Sequence, residues 1–203
     1  MKSFLFDLDG VLIDSEGLYT RFWAETEKEF PTGIDNFATV IKGTNLKSIM
    51  NYFSEEDRPK ILAKIYEFDS NLTYKPFPDA ENFLRFLKEK NVKTALVTSS
   101  NTEKMDQFHK VLPSFRSYFD VIIDGSMVSR GKPDPEGYLL AAKAIGEKPE
   151  NCIVVEDSLQ GIMAGKNAGA EVWGLYTTLP REVIAEQADR IFQNISEVYA
   201  SLA

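Results

Sequence analysis

From Asp79 to Leu175 the chain switches character at short, regular intervals. Helical stretches at 79–90, 101–111, 135–146 and 158–168 alternate with apolar runs at 92–97, 120–123, 152–156 and 171–175, and a weaker strand at 190–192 and a last helix follow. Strands that alternate with helices in this way are joined by right-handed crossovers and pair in parallel. A further apolar run, Phe4-Leu5-Phe6, stands far upstream. The pattern therefore predicts an α/β fold, a doubly wound parallel sheet whose first strand is separated from the others by an insertion.

The insertion reads as helical. Segments at about 15–30, 46–53 and 55–68 each carry one apolar stripe, with Leu18, Phe22 and Trp23 beside Tyr19 in the first and Ile61, Leu62, Ile65 and Phe68 in the last. Such stripes mark packing faces. Pro76 and Pro78 cannot continue a helix and form a return linker. The expected organisation is a core of residues 1–14 and 79–203 interrupted by a helical unit of residues 15–78.

A chain of 203 residues with 43% hydrophobic content can bury a full core and a smaller appendage. A formal charge of −8 without any basic run argues against a nucleic-acid partner. No stretch approaches the roughly eighteen apolar residues of a membrane span, and the N-terminus runs directly into a strand, so the expectation is a cytoplasmic protein without a membrane partner. Cys152, ahead of Ile153-Val154-Val155, reads as a core thiol, and His109, in a polar stretch, as a surface residue.

In a doubly wound sheet the strand carboxyl ends converge on one crevice whatever the strand order. The first strand ends in Asp7-Leu8-Asp9-Gly10, whose two acids at i and i+2 point the same way. Thr98-Ser99-Ser100-Asn101, Lys132-Pro133 and Glu156-Asp157-Ser158 follow later strands. Taken singly, each has an ordinary structural reading: helix caps, a loop lysine, an acidic first helical turn. Taken together they form a chemically complementary set. Four carboxylates in one crevice repel by about 4 kcal/mol for each pair near 4 Å at an effective dielectric of about 20. A divalent cation with oxygen ligands, Mg²⁺ above all, relieves that repulsion, and Lys132 adds a further positive charge. Hydroxyls and N–H groups at Thr98, Ser99 and Ser100 suit an anion such as phosphate.

These residues resemble the four motifs of the haloacid dehalogenase-like superfamily: Asp7-Leu8-Asp9-Gly10-Val11, Val97-Thr98-Ser99-Ser100, Lys132-Pro133, and Val155-Glu156-Asp157-Ser158 with Gly161, Gly165 and Gly169. The resemblance spans the chain and is greatest for the β-phosphoglucomutase and sugar-phosphatase branch, to which Asp14-Ser15-Glu16 and the Gly43 loop are similar. It implies a Rossmann-like core with a helical cap over residues 15–78. It further implies a monomeric Mg²⁺-dependent phosphatase that hydrolyses a small phosphomonoester, a sugar phosphate in particular, through an aspartyl-phosphate. In that scheme Asp7 is the nucleophile and Asp9 the general acid and base. Mg²⁺ is held by Asp7, the Asp9 carbonyl and Asp157, with Glu156 a further candidate. Thr98, Ser99, Ser100 and Lys132 bind the phosphoryl group, and cap residues around Gly43 and Lys47 read the leaving group. The alternatives are a hexose-phosphate mutase and a catalytically idle phosphate-binding or protein-interaction member of the fold. The mutase pattern carries a histidine in the first cap helix and an arginine in the cap loop. Here Tyr19 stands at the first position, and the loop reads Lys42-Gly43-Thr44-Asn45-Leu46-Lys47.

Overall fold

Four consecutive buried residues form β1 (Ser3–Phe6). A strand buried on both faces needs a sheet with helices on either side. In the computed structural model, which describes residues 1–203, β1 lies at the centre of such a sheet. It pairs in parallel with β2 (Thr94–Val97) and β4 (Cys152–Glu156), with Leu5 opposite both Ala95 and Val154. Outward lie β3 (Val121–Ile123), β5 (Glu171–Leu175) and β6 (Arg190–Phe192), giving the order β3-β2-β1-β4-β5-β6, parallel throughout. The chain winds one way from β1 to β3 and the other way from β4 to β6. The crevice where that direction reverses lies beyond the carboxyl ends of β1 and β4.

Between β1 and β2 the chain forms α1 (Glu16–Glu29), α2 (Phe37–Val40), α3 (Leu46–Met50) and α4 (Arg58–Ser70). These helices bury a cluster of their own that includes Trp23, Phe37, Phe53, Ile61 and Ile65, which fits the apolar stripes of the sequence. The short α2 falls where no helix was expected, and the helix expected over 46–53 ends at Met50. After the proline linker come α5 (Ala80–Glu89), α6 (Thr102–Val111), α7 (Pro113–Arg116), α8 (Glu136–Ala144), α9 (Leu159–Ala168), α10 (Arg181–Ala185) and α11 (Ile195–Ala200). Alternate residues of β1 divide the core between the two faces. Phe4 and Phe6 pack with Phe83 and Leu87 of α5, whereas Leu5 packs with Tyr138 and Ala141 of α8.

Cys152 is fully buried at the start of β4, as its apolar context predicts. His109 departs from its expected surface position: α6 turns it half-inward, and both ring nitrogens are buried without a hydrogen-bond partner. No helix is long and apolar enough to cross a membrane.

Candidate active site

Asp7 leaves β1 at the crevice with its backbone N–H still bonded to the Val155 carbonyl, so the sheet itself fixes where its carboxylate starts. Lys132, on the loop between β3 and α8, reaches Asp7 Oδ1 at 2.5 Å, Glu156 Oε1 at 2.6 Å and the Val97 carbonyl at 3.2 Å. All three of its protons are thereby engaged. Burial works against the ammonium, but Asp7 and Glu156 outweigh it and hold the Lys132 pKa well above the ordinary lysine range. The fully buried Glu156 accepts further bonds from the Tyr138 hydroxyl, the N–H groups of Asp157 and Ser158, and Ser158 Oγ. Both Glu156 oxygens are thus occupied by the protein. A Cβ on Gly161 would strike this carboxylate, which accounts for a glycine inside α9.

Asp157 is the opposite case. Its Oδ2 is buried with no hydrogen-bond partner, and one oxygen from each of Asp7, Glu156 and Asp157 lies within 4.8 Å of the others. Burial, then the charges of Glu16, Glu156 and Asp7, push the Asp157 carboxyl well above its ordinary range. Burial likewise pushes Asp7 up to about 8 against the pull of Lys132. Lys132 is the one ammonium bonded within this cluster. The orphaned Asp157 oxygen and the excess negative charge fit a hard divalent cation, whose charge would favour both carboxylates in ionised form. Gly10, in a left-handed turn at φ +78, lets the backbone approach there, because a Cβ would overlap the Asp157 carboxylate.

Asp9 sits beside this cluster but takes no part in it. Its carboxylate accepts from Ser15 Oγ, from Ser100 Oγ at 3.2 Å and from Lys104 Nζ at 2.7 Å. Burial raises the Asp9 carboxyl, but Lys104 and the two hydroxyls overcome it, and its pKa falls below the ordinary carboxylate range. The Thr98 hydroxyl accepts from the Ser100 N–H, and Ser99 Oγ bonds the Gly43 carbonyl at 2.7 Å, which ties the insertion to the sheet edge. Asn101, not the Thr98-Ser99-Ser100 segment, caps α6. Ser100 therefore spends its hydroxyl on Asp9 in this arrangement.

The sheet edge and the helical insertion enclose a cleft of about 820 Å³, its open mouth included. Asp7, Asp9, Thr98, Ser99 and Asp157 line it from the sheet edge, and Tyr19, Trp23, Ile65 and Asp69 from the helical insertion. Lys47 does not line it. Asn45 caps α3 and sets the helix phase so that Ile49 and Met50 turn inward while Lys47 is exposed, against the expectation that it reads a leaving group. Two charged cleft residues, Lys104 and Asp69, escaped the sequence reading. Lys104, nearly buried, lies 4.1 Å above the Tyr19 ring, and Tyr19 donates to Asp69 at 2.6 Å. Neither Lys104 nor Asp69 ends a strand, so position along the chain carried no signal for them.

A family model described as haloacid dehalogenase-like hydrolase matches residues 1–169. The chain is 32% identical over 179 residues to hexitol phosphatase A of Escherichia coli, covering 84% of this chain and 81% of that protein. It is 28% identical over 198 residues to phosphorylated carbohydrates phosphatase of Thermotoga maritima, covering 88% and 87%. The solved β-phosphoglucomutase of Clostridium difficile superposes with a TM-score of 0.74 at 25% identity, over 99% of this chain and 98% of that one. With its ordered loops after β1, β2, β3 and β4 converging on one acidic crevice, the chain belongs to the haloacid dehalogenase-like hydrolase family.

Proposed function

We propose that the chain is a Mg²⁺-dependent phosphomonoesterase acting on a small phosphorylated metabolite of the sugar-phosphate class through an aspartyl-phosphate intermediate. The observation that carries this reading is the buried Asp7–Lys132–Asp157 arrangement, a carboxylate held by an ammonium beside a second carboxylate with an orphaned oxygen. Phosphatases among its relatives support the reaction class.

Asp7 is the nucleophile. Lys132 fixes its Oδ1 and leaves Oδ2 for in-line attack on phosphorus, which breaks the ester bond and forms an acyl phosphate. Mg²⁺, held by Asp7, the Asp9 carbonyl and Asp157, would supply charge neutralisation for the transferring oxygens. The Thr98 hydroxyl and the Ser99 N–H offset the remaining charge from the cleft wall, and Lys132, its protons already bonded, adds only its positive field from behind Asp7. Glu156 acts as the anchor of Lys132 and of the turn after β4 rather than as a metal ligand, since its oxygens already hold five donors. Asp9 donates a proton to the leaving alcohol and removes one from the hydrolytic water, a role typically worth about 10²–10⁴ in rate. Lys104, Ser15 and Ser100 hold it in the base form in this arrangement, so the acid step requires its carboxyl to leave Lys104 and take up a proton before it meets the leaving oxygen.

Hydrolysis is favoured over phosphosugar mutation because a mutase needs a cation to grip a distal phosphate. Lys42 is held by Glu16 at 2.6 Å and Thr20 at 3.0 Å, and Lys47 faces solvent. The intact Asp7, Asp9, Lys132 and Asp157 set argues against an idle binder, which needs no acid and base. The test is Mg²⁺-dependent phosphate release from a panel of sugar and polyol phosphates. Asp7→Asn should abolish it while leaving the circular dichroism spectrum unchanged, and a retained rate would exclude the covalent route.

A further inference from the structure

The cleft between the sheet edge and the helical insertion has its own electrostatic composition. The only basic side chains on its wall are Lys42 and Lys104. Each already holds a carboxylate: Lys42 pairs with Glu16 at 2.6 Å, and Lys104 pairs with Asp9 at 2.7 Å. Asp69 is a further acid on the same wall, nearly buried, and no ammonium bonds it. Its Oδ1 accepts from the Tyr19 hydroxyl, which leaves Oδ2 free to accept from a group within the cleft. Trp23, Ile41 and Ile65 add an apolar surface alongside.

A second anion on the leaving group would enter the cleft without a free cation to meet it and would face Asp69, whose charge is offset only by Lys104 at longer range. A hydroxyl meets the opposite reception, because a buried carboxylate with an open lone pair accepts an O–H donor at no cost in charge. The C–H faces of a carbon chain pack on the indole and the isoleucines, a mode common where polyhydroxylated ligands meet an apolar wall. Resting on the phosphatase reading, we infer that the leaving group is an uncharged polyol, bound through Asp69, and that the Glu16–Lys42 pair and Asp69 together reject substrates bearing a second phosphate or a carboxylate.

The specificity is set by a pairing and is therefore reversible by removing one partner. Glu16→Gln removes the counter-charge of the Lys42 ammonium without changing side-chain size, and the cleft then offers an unneutralised cation to a distal anion. The experiment measures kcat/KM of the Mg²⁺-loaded full chain for a hexitol 6-phosphate, for phosphoglycolate and for a hexose 1,6-bisphosphate. In the wild type the hexitol phosphate should exceed both competitors, each with a second anionic group, by at least a hundredfold. In Glu16→Gln that ratio should fall at least tenfold, through a rise in kcat/KM for the anionic substrates. Asp69→Asn keeps the Tyr19 bond and removes a charge, and should lower the same ratio at least fivefold through an increased KM for the hexitol phosphate. A wild type that prefers phosphoglycolate or the bisphosphate would overturn the inference. So would an unchanged ratio in both variants when their thermal unfolding shows them folded. Absence of turnover with a small aryl phosphate, which carries neither a second anion nor a polyol, would instead remove the phosphatase reading on which the inference rests.

Discussion

Replacing Glu156 with glutamine keeps the side chain's shape and removes its charge at the most heavily bonded point of the site. Oε1 receives Lys132 and the Tyr138 hydroxyl, while Oε2 receives two backbone N–H groups and Ser158 Oγ. A glutamine amide has one oxygen. Its NH₂ must face either the Lys132 ammonium or the N–H groups of Asp157 and Ser158, so donors oppose donors in a region closed to water. Removing one partner of a buried pair costs about 3–5 kcal/mol, against a total stability on the order of 10 kcal/mol. Urea unfolding in magnesium-free buffer should show an unchanged slope and a midpoint about 2 M lower, given a slope of about 2 kcal/mol per M. Lys132→Met leaves Asp7 and Glu156 without their shared cation and should be comparably damaging. Because the two residues act through one contact, the double variant should be less destabilised than the sum of the singles by about 1–3 kcal/mol. A loss below about 1 kcal/mol in Glu156→Gln, or strict additivity with Lys132→Met, would refute the anchoring role and return Glu156 to the candidate metal ligands.

Magnesium at about 100 times its Kd should stabilise the wild type by about 2.7 kcal/mol, read as a rise in Tm of about 5–10 °C. Asp157→Asn should abolish that rise, and an equal rise in both proteins would place the ion elsewhere. Gly161→Ala gains about 1 kcal/mol of helix propensity but forces a methyl against the Glu156 carboxylate, at a cost of about 1–3 kcal/mol. Net destabilisation in thermal melts is expected, and net stabilisation would mean that Glu156 yields easily. Burial raises the Asp69 carboxyl above its ordinary value of 3.8, so the folded chain keeps that proton to higher pH than the unfolded chain does. This contribution to stability is complete at low pH and fades as pH rises from about 4 through the folded value. Asp69→Asn lacks the loss, so its stability relative to wild type should improve as pH rises above about 4 in urea titrations; a flat difference would show that Asp69 is not desolvated.

Sheet topology makes some of this site readable from the chain and hides the rest. Asp7, Thr98, Lys132 and Asp157 all follow strands, and in a parallel sheet every strand delivers its next residues to the same edge. Their convergence therefore holds for any strand order, and the order β3-β2-β1-β4-β5-β6 decides only which of them are neighbours along that edge. Lys104 and Asp69 meet the cleft from within α6 and α4, and only the packing of those helices brings Lys104 beside Tyr19 and Asp9. Lysines 42 and 47 look equivalent in the sequence. One side-chain cap, Asn45 on the Ser48 N–H, fixes the phase of α3 and sends Lys47 outward, while Lys42 finds Glu16 across the insertion. Glu156 shows the same limit from the other side. Next to Asp157 it reads as a second ligand, yet its oxygens serve the turn that follows β4 and the lysine from another loop. A chain can be scanned for charges, but whether a charge acts on a ligand depends on whether a neighbour has already taken it. That is a property of helix phase and packing, which the order of residues along the chain does not carry.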